Sequence, residues 1–276
     1  MGRNKKIRTI KDYFDWLYKD APECTMYYRG QANSRWDIVA GVFRDSESSE
    51  HELLEKASLR LSNELSKFPT CLEKLIYLQH YGMKTRLLDV TTNPLVALFF
   101  ACSEYKEKGR PCDGVVYRGV KGINENPEIA RLTADFVFNT HPGVANEYYY
   151  KDKKKNKSEF STPIFIFPPI NNPRIEHQNG AFIMTPLEGM CSAFDPVDTS
   201  DNSKKDNIDR SHSLRGRFDL ECPAIIDKSS KMDILRELYV LGIDDGFISQ
   251  DITGKINAII RGVDYKNLAK RIILTE

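Results

Sequence analysis

Long apolar runs are missing from this chain. No stretch approaches the roughly 18 to 20 apolar residues that a membrane-spanning helix needs, and residues 1–6 are charged with no apolar stretch behind them of the kind a secretory signal carries. The reading is a cytoplasmic protein with no membrane partner. A charge of one sign is missing too. Forty Lys and Arg against 39 Asp and Glu leave +1 at neutral pH, so no global field steers the chain to nucleic acid or to an anionic surface. Any anion recognition must be local.

Paired cysteines are also absent. Cys24, Cys71, Cys102, Cys112, Cys191 and Cys222 are scattered without a CxxC spacing, which fits neither a disulfide framework nor a zinc site and leaves reduced, structural thiols. No metal is expected. No internal repeat is visible, and without a GxGxxG turn or a strict βαβ rhythm a dinucleotide-binding doubly wound sheet is disfavoured.

What the chain does contain is a sizeable core. A hydrophobic content of 41% and an aromatic content of 11% over 276 residues suffice for one large domain or two small ones. Residues 9–18 (TIKDYFDWLY) place Ile10, Tyr13, Phe14 and Leu17 at helical spacing behind Thr9 as N-cap. Residues 24–29 are rich in strand formers, residues 50–65 and 72–81 read as helices, and residues 93–104 read as a buried helix with Asn93 as N-cap and Pro94 at its first position. Strands are expected over 114–120, 163–167, 181–185 and 222–227, and a helix over 231–241 that Gly242 ends. Residues 146–160, rich in tyrosine and lysine without a clear period and carrying the lysine run 151–157, read as an exposed loop or arm, and residues 198–217 have too little apolar content for core. The fold class is α+β.

Three polar constellations carry the candidate chemistry. Tyr28-Arg29-Gly30-Gln31 ends an aromatic strand with a guanidinium, whose planar fork matches a phosphate or carboxylate, beside a glycine that lets a backbone or ligand approach. Residues 78–94 crowd Gln79, His80, Tyr81, Arg86, Asp89, Thr91, Thr92 and Asn93 between apolar flanks, so these groups must satisfy one another or meet a ligand. Arg86 with Asp89 is the expected salt bridge, and Asn93 the expected helix cap. The third is the turn Arg174-Ile175-Glu176-His177-Gln178-Asn179-Gly180, which leads into an apolar strand.

These blocks carry a resemblance. Tyr28-Arg29-Gly30-Gln31 with Trp36, then Gln79-His80-Tyr81-Gly82, Thr85-Arg86-Leu87-Leu88-Asp89, Asn93-Pro94 and Ala97, then Arg174-Ile175 and Gln178-Asn179-Gly180-Ala181-Phe182, resemble in order and spacing the FRG domain family. Tyr28 stands where phenylalanine is common. The resemblance spans about residues 25–260, with residues 1–24 an N-terminal helix and lead-in and residues 261–276 a C-terminal tail.

More remotely, the spacing is similar to the ADP-ribosyltransferase fold. That similarity implies a single α+β domain with a mixed, mostly antiparallel split sheet flanked by helices, and NAD bound as substrate. Arg29 would hold a phosphate or ribose. Thr91 and Thr92 would fix the backbone around the nicotinamide ribose, Tyr28 or Tyr81 would stack on a ring, and Gln31, Gln79, His80 and Arg86 would complete the nucleotide contacts. The late glutamate of the transferase pattern falls on Gln178, which leaves Glu176 and Asp89 as the carboxylates for an oxocarbenium-like centre. The acceptor, protein or nucleic acid, is not implied. Two other classes remain open. One is a non-catalytic module in which Arg29, Arg86 and Arg174 grip a nucleotide or nucleic acid. The other is a bacterial toxin or defence effector acting through residues 198–217.

Overall fold

The computed structural model describes residues 6–19, 27–44, 50–119, 125–139, 162–168, 177–186, 214–249 and 251–273. Thr9 caps α1 (Ile10–Tyr18) by accepting the Asp12 N–H, and Ile10 and Tyr13 turn inward, the Tyr13 hydroxyl donating to Pro94 O at 2.8 Å. After β1 (Tyr28–Gln31), the helical pattern over 50–65 resolves into α2 (Glu50–Arg60) and α3 (Ser62–Leu65), interrupted at Leu61. A capping box between Thr70 and Glu73 opens α4 (Cys71–His80), and Gly82, at φ +90°, turns the chain away from its end.

β2 (Leu87–Thr91) follows, then α5 (Pro94–Cys102), where Asn93 caps the Leu95 N–H at 2.9 Å and Pro94 opens the first turn. A short hairpin of β3 (Lys106–Glu107) and β4 (Arg110–Pro111) leads into β5 (Gly114–Arg118). The rest comprises α6 (Pro127–Asn139), β6 (Ile164–Ile166), β7 (Gly180–Met184), β8 (Ala224–Ile226), α7 (Lys231–Val240), α8 (Asp245–Ile248) and α9 (Ile252–Ile273).

Six strands form one sheet in the order β6-β7-β2-β1-β5-β8, every neighbouring pair antiparallel, with a parallel bridge from Ile7 to Ile226 at its β8 edge. The chain is therefore α+β with a mostly antiparallel sheet. The register places Tyr28, Gly30, Val116, Leu87, Asp89, Thr91, Phe182 and Met184 on one face. Helices cover that face in two groups. Ile7, α1, α5 and α7 pack over Val116, Ala224 and Ile226, whereas α2, α4 and α6 pack over Leu87, Ile164, Phe182 and Met184. The other face is closed by Tyr27, Ile38, Ala40, Leu214 and Phe218.

The two helical groups part over the middle of the sheet, and the sheet itself loosens there. β1 shares four register positions with β5 and only one, Tyr28 opposite Thr91, with β2. The sheet is nonetheless continuous through β2 and β1, not split as expected.

Glycines let α5 approach. A Cβ on Gly30 would stand 1.8 Å from Ala97 O and one on Gly114 2.1 Å from Ala101 O, so the helix rests on bare backbone at two places. The close approach beside Arg29 is made by a helix backbone.

Several expectations need correction. α6 falls where no helix is expected, and α9 runs without interruption through residue 260, where the sequence reading ends the domain. Leu214, inside the stretch read as too polar for core, is 3% exposed. Residues 146–160, including the lysine run, and most of 198–217 lie outside the described residues.

Candidate functional site

A cavity of about 470 Å³ occupies the trough between α4 and α5, over the loosened β1–β2 junction. That volume lies within the range of small-molecule sites. Asp89 shows why the trough is there. It is the single exposed residue of β2, flanked by buried Leu88 and Val90, because neither helical group covers the sheet at that position.

Arg29 enters from β1. By strand alternation its side chain leaves on the face opposite Tyr28 and Asp89, yet its Nη1 donates to the Asp89 carbonyl, supplying a donor where the β1–β2 ladder has ended. Burial pulls the guanidinium down to about 10, Asp89 pulls it back up, and Arg44 adds repulsion; the group stays cationic at neutral pH. Its Nε is sealed from solvent and has no partner among the described residues.

Arg44 follows the 3-10 turn Gly41–Phe43 and anchors its Nε on Val39 O at 3.0 Å. The turn is brought to the site by a bond from Val42 N–H to Thr85 O, 3.2 Å. Arg29, Arg44, His80 and Lys84 thus reach one cavity, and Asp89 is the single carboxylate among its described lining residues. Tyr28, Met83, Phe100 and Phe182 supply apolar surface.

Asp89 is held from one side. Gln79, in the last turn of α4, donates through Nε2 to Asp89 Oδ1 (3.0 Å) and to Leu87 O (3.1 Å), while its Oε1 accepts from the Thr85 hydroxyl. Thr91 lines the cavity with its hydroxyl already engaged, donating to Gln178 O at 2.6 Å and accepting from Asn93 N at 3.0 Å. Gln178 also lines the cavity, and its Nε2 donates to Ile248 O at 2.7 Å, tying the turn before β7 to α8.

Of the residues singled out from sequence, Arg29, Asp89, Gln178, Tyr28, Gln79, His80 and Thr91 meet at this cavity. Arg86 does not. It is fully buried and grips Glu50, with Nη2 at 2.7 Å and Nε at 2.9 Å from Oε2, while its Nη1 donates to Thr185 O at 3.0 Å. The expected Arg86–Asp89 salt bridge is replaced by this pair, because Arg86 precedes β2 and points to the start of α2.

Gln31 is buried away from the cavity and donates to Asp37 O at 3.3 Å. Tyr81, 72% exposed, lies outside, its ring tilted 56° against Tyr77 with ring centres 4.8 Å apart. Thr92 is exposed and donates to Asn179 O at 3.4 Å. Glu176 and Arg174 lie outside the described residues.

Arg44 was missed because its place depends on the long-range bond from Val42. Its sequence neighbourhood, an arginine after GVF, carries no site signal. Lys84 lies inside the polar stretch singled out from sequence, and its facing the cavity follows from the turn at Gly82. Among the described residues no group of three or more His, Cys, Asp or Glu is arranged to hold a metal ion, and no helix is long and apolar enough to cross a membrane.

The fold and site define an α+β protein with a cationic cleft at the loosened centre of an antiparallel sheet. The family model of the FRG domain matches residues 25–110, and the chain carries that domain. The match takes in β1, α4, β2 and α5, hence Arg29, Arg44, Gln79, His80, Lys84 and Asp89, whereas Gln178 lies beyond it. No curated protein and no solved structure matches the chain.

Proposed function

We propose that the cavity binds a phosphorylated nucleotide, NAD in the leading form, and that the protein cleaves it at the nicotinamide bond, passing the ADP-ribose to water or to an acceptor. The observation that carries this reading is Arg29: a cationic guanidinium at the cavity wall, held through Nη1 on the Asp89 carbonyl. Its Nη2, which makes no hydrogen bond among the described residues, is the donor left for a phosphate oxygen, and charged hydrogen bonds of this kind are strong.

In the cleavage step the bond from the ribose anomeric carbon to the nicotinamide nitrogen breaks, and its electron pair leaves with nicotinamide. The anomeric carbon becomes oxocarbenium-like. Asp89, the carboxylate in the cavity lining, stabilises that charge and takes the proton of the attacking water or hydroxyl. Tyr28 and Phe100 offer faces for a ring.

The test is nicotinamide release from NAD by the wild-type protein beside Arg29→Ala and Asp89→Asn, with the NAD-induced thermal shift recorded on each. The reading expects release from wild type alone, and a shift that Asp89→Asn keeps and Arg29→Ala loses. Neither release nor shift from wild type contradicts it.

One observation favours a second reading, binding without turnover. Gln178 stands where a transferase carries a glutamate, and its amide nitrogen is committed to Ile248 O. A wild-type protein that shifts with NAD and releases no nicotinamide is a nucleotide-binding module.

A further inference from the structure

Gln79 lines the cavity, and its side chain has little left to offer a ligand. Both amide protons are used, one on Leu87 O at 3.1 Å and one on Asp89 Oδ1 at 3.0 Å. Its oxygen accepts from Thr85, whose own oxygen accepts the Leu87 N–H at 3.1 Å. The polarity of this chain is fixed by the backbone. Because Leu87 O can only accept, the amide nitrogen turns to it and to Asp89 Oδ1, and Gln79 Oε1 takes the proton of the Thr85 hydroxyl. The flipped amide would set Oε1 against both a carbonyl and a carboxylate.

The geometry therefore points to Gln79 as the positioning residue of Asp89, with the Thr85 hydroxyl bracing its amide oxygen. The inference rests on the reading of Asp89 as the carboxylate that serves the reaction. Gln79 acts through Asp89: it holds Oδ1 and leaves Oδ2, which has no partner among the described residues, to the cavity. Thr85 is 1% exposed, and its hydroxyl serves the Gln79 amide and the Leu87 N–H. The three groups come from the end of α4, the turn behind it and the centre of β2, and one carboxylate orientation results.

The experiment measures nicotinamide release from NAD by Gln79→Ala, Thr85→Val and Thr85→Ser. A positioning role lowers kcat about tenfold or more in the first two, keeps the KM for NAD within about twofold, and leaves Thr85→Ser near wild type because the hydroxyl is kept. A raised KM with kcat retained makes Gln79 a ligand contact and overturns the inference. Thermal melting of each variant identifies any that fails to fold, and Thr85→Ser against Thr85→Val then carries the comparison. If the wild-type protein turns over no NAD, the cleavage reading fails and the clamp is read without activity. The Gln79 side-chain amide protons, assigned by their loss in Gln79→Ala, should exchange slowly with solvent and quicken in Asp89→Ala and Thr85→Val. Unchanged exchange in both overturns the inference on its own ground.

Discussion

The guanidinium of Arg29 donates to the main-chain carbonyl of Asp89 across the gap where β1 and β2 cease to pair. One side chain thereby holds a strand edge and presents a cation to the cavity. The planar fork makes both tasks possible. A lysine has the charge but lacks the geometry. Arg29→Lys should keep the fold and lose most of the NAD-induced thermal shift. A full shift in the lysine variant would reduce the role of Arg29 to that of a point charge.

Arg86 and Glu50 form an ion pair with side chains 0% and 4% exposed. Removing one partner leaves the other charged and sealed, which costs roughly 3–5 kcal/mol. Glu50→Ala should lower the urea midpoint accordingly without altering any nucleotide-induced shift of the protein that remains folded. A loss below about 1 kcal/mol would place the pair among ordinary surface bridges.

Gly30 and Gly82 test two different demands on glycine. A Cβ on Gly30 meets Ala97 O, a backbone atom that moves only if α5 moves, so Gly30→Ala should cost more than the roughly 1–3 kcal/mol of ordinary overpacking. Gly82 faces open space and needs only its positive φ, so Gly82→Ala should cost about 1 kcal/mol. Thermal unfolding of the two variants decides the order. The reverse order would mean that α5 does not rest on β1.

Burial pushes the Cys102 thiol up from 9.0 to about 12. The unfolded chain then releases this proton at lower pH than the folded one, so the folded state binds more protons between those values and stability falls as pH rises through that window. Buried Tyr13 and Tyr27, also raised by burial, act in the same direction at higher pH. Urea titrations between pH 8 and about 11 should show a steep decline, shallower in Cys102→Ala whatever its absolute stability. An equal slope in the two proteins would mean that Cys102 ionises freely in the fold.

Much of this frame is legible in the sequence because its causes are local. Thr9 and Asn93-Pro94 start helices through their own first turns, and the strands at 114–118 and 180–184 are apolar runs bounded by turn residues. The crowded stretch from Gln79 to Thr91 is equally visible, since polar groups between buried segments need partners. Which partners they find is not visible. Arg86 lies three residues from Asp89 and pairs instead with Glu50, 36 residues upstream, and Arg44 reaches the cavity because Val42 bonds to Thr85. α6 carries a readable start at Asn126, whose side chain accepts from the Glu128 N–H at 3.0 Å. α9 hides for another reason. It turns Gly254 and Gly262 inward while Ile252, Ile256, Ile259, Ile260 and Val263 stay exposed, the reverse of the usual amphipathic pattern.

The central claim is that Arg29 makes the cavity a phosphate site. Calorimetric titration of NAD into the wild-type protein and Arg29→Ala, at low and at moderate salt, tests it most directly. The account predicts saturable wild-type binding that weakens with salt and falls roughly 10- to 100-fold in the variant, the worth of one charged hydrogen bond. Equal affinity in the two proteins, or no binding to the wild type, would contradict it.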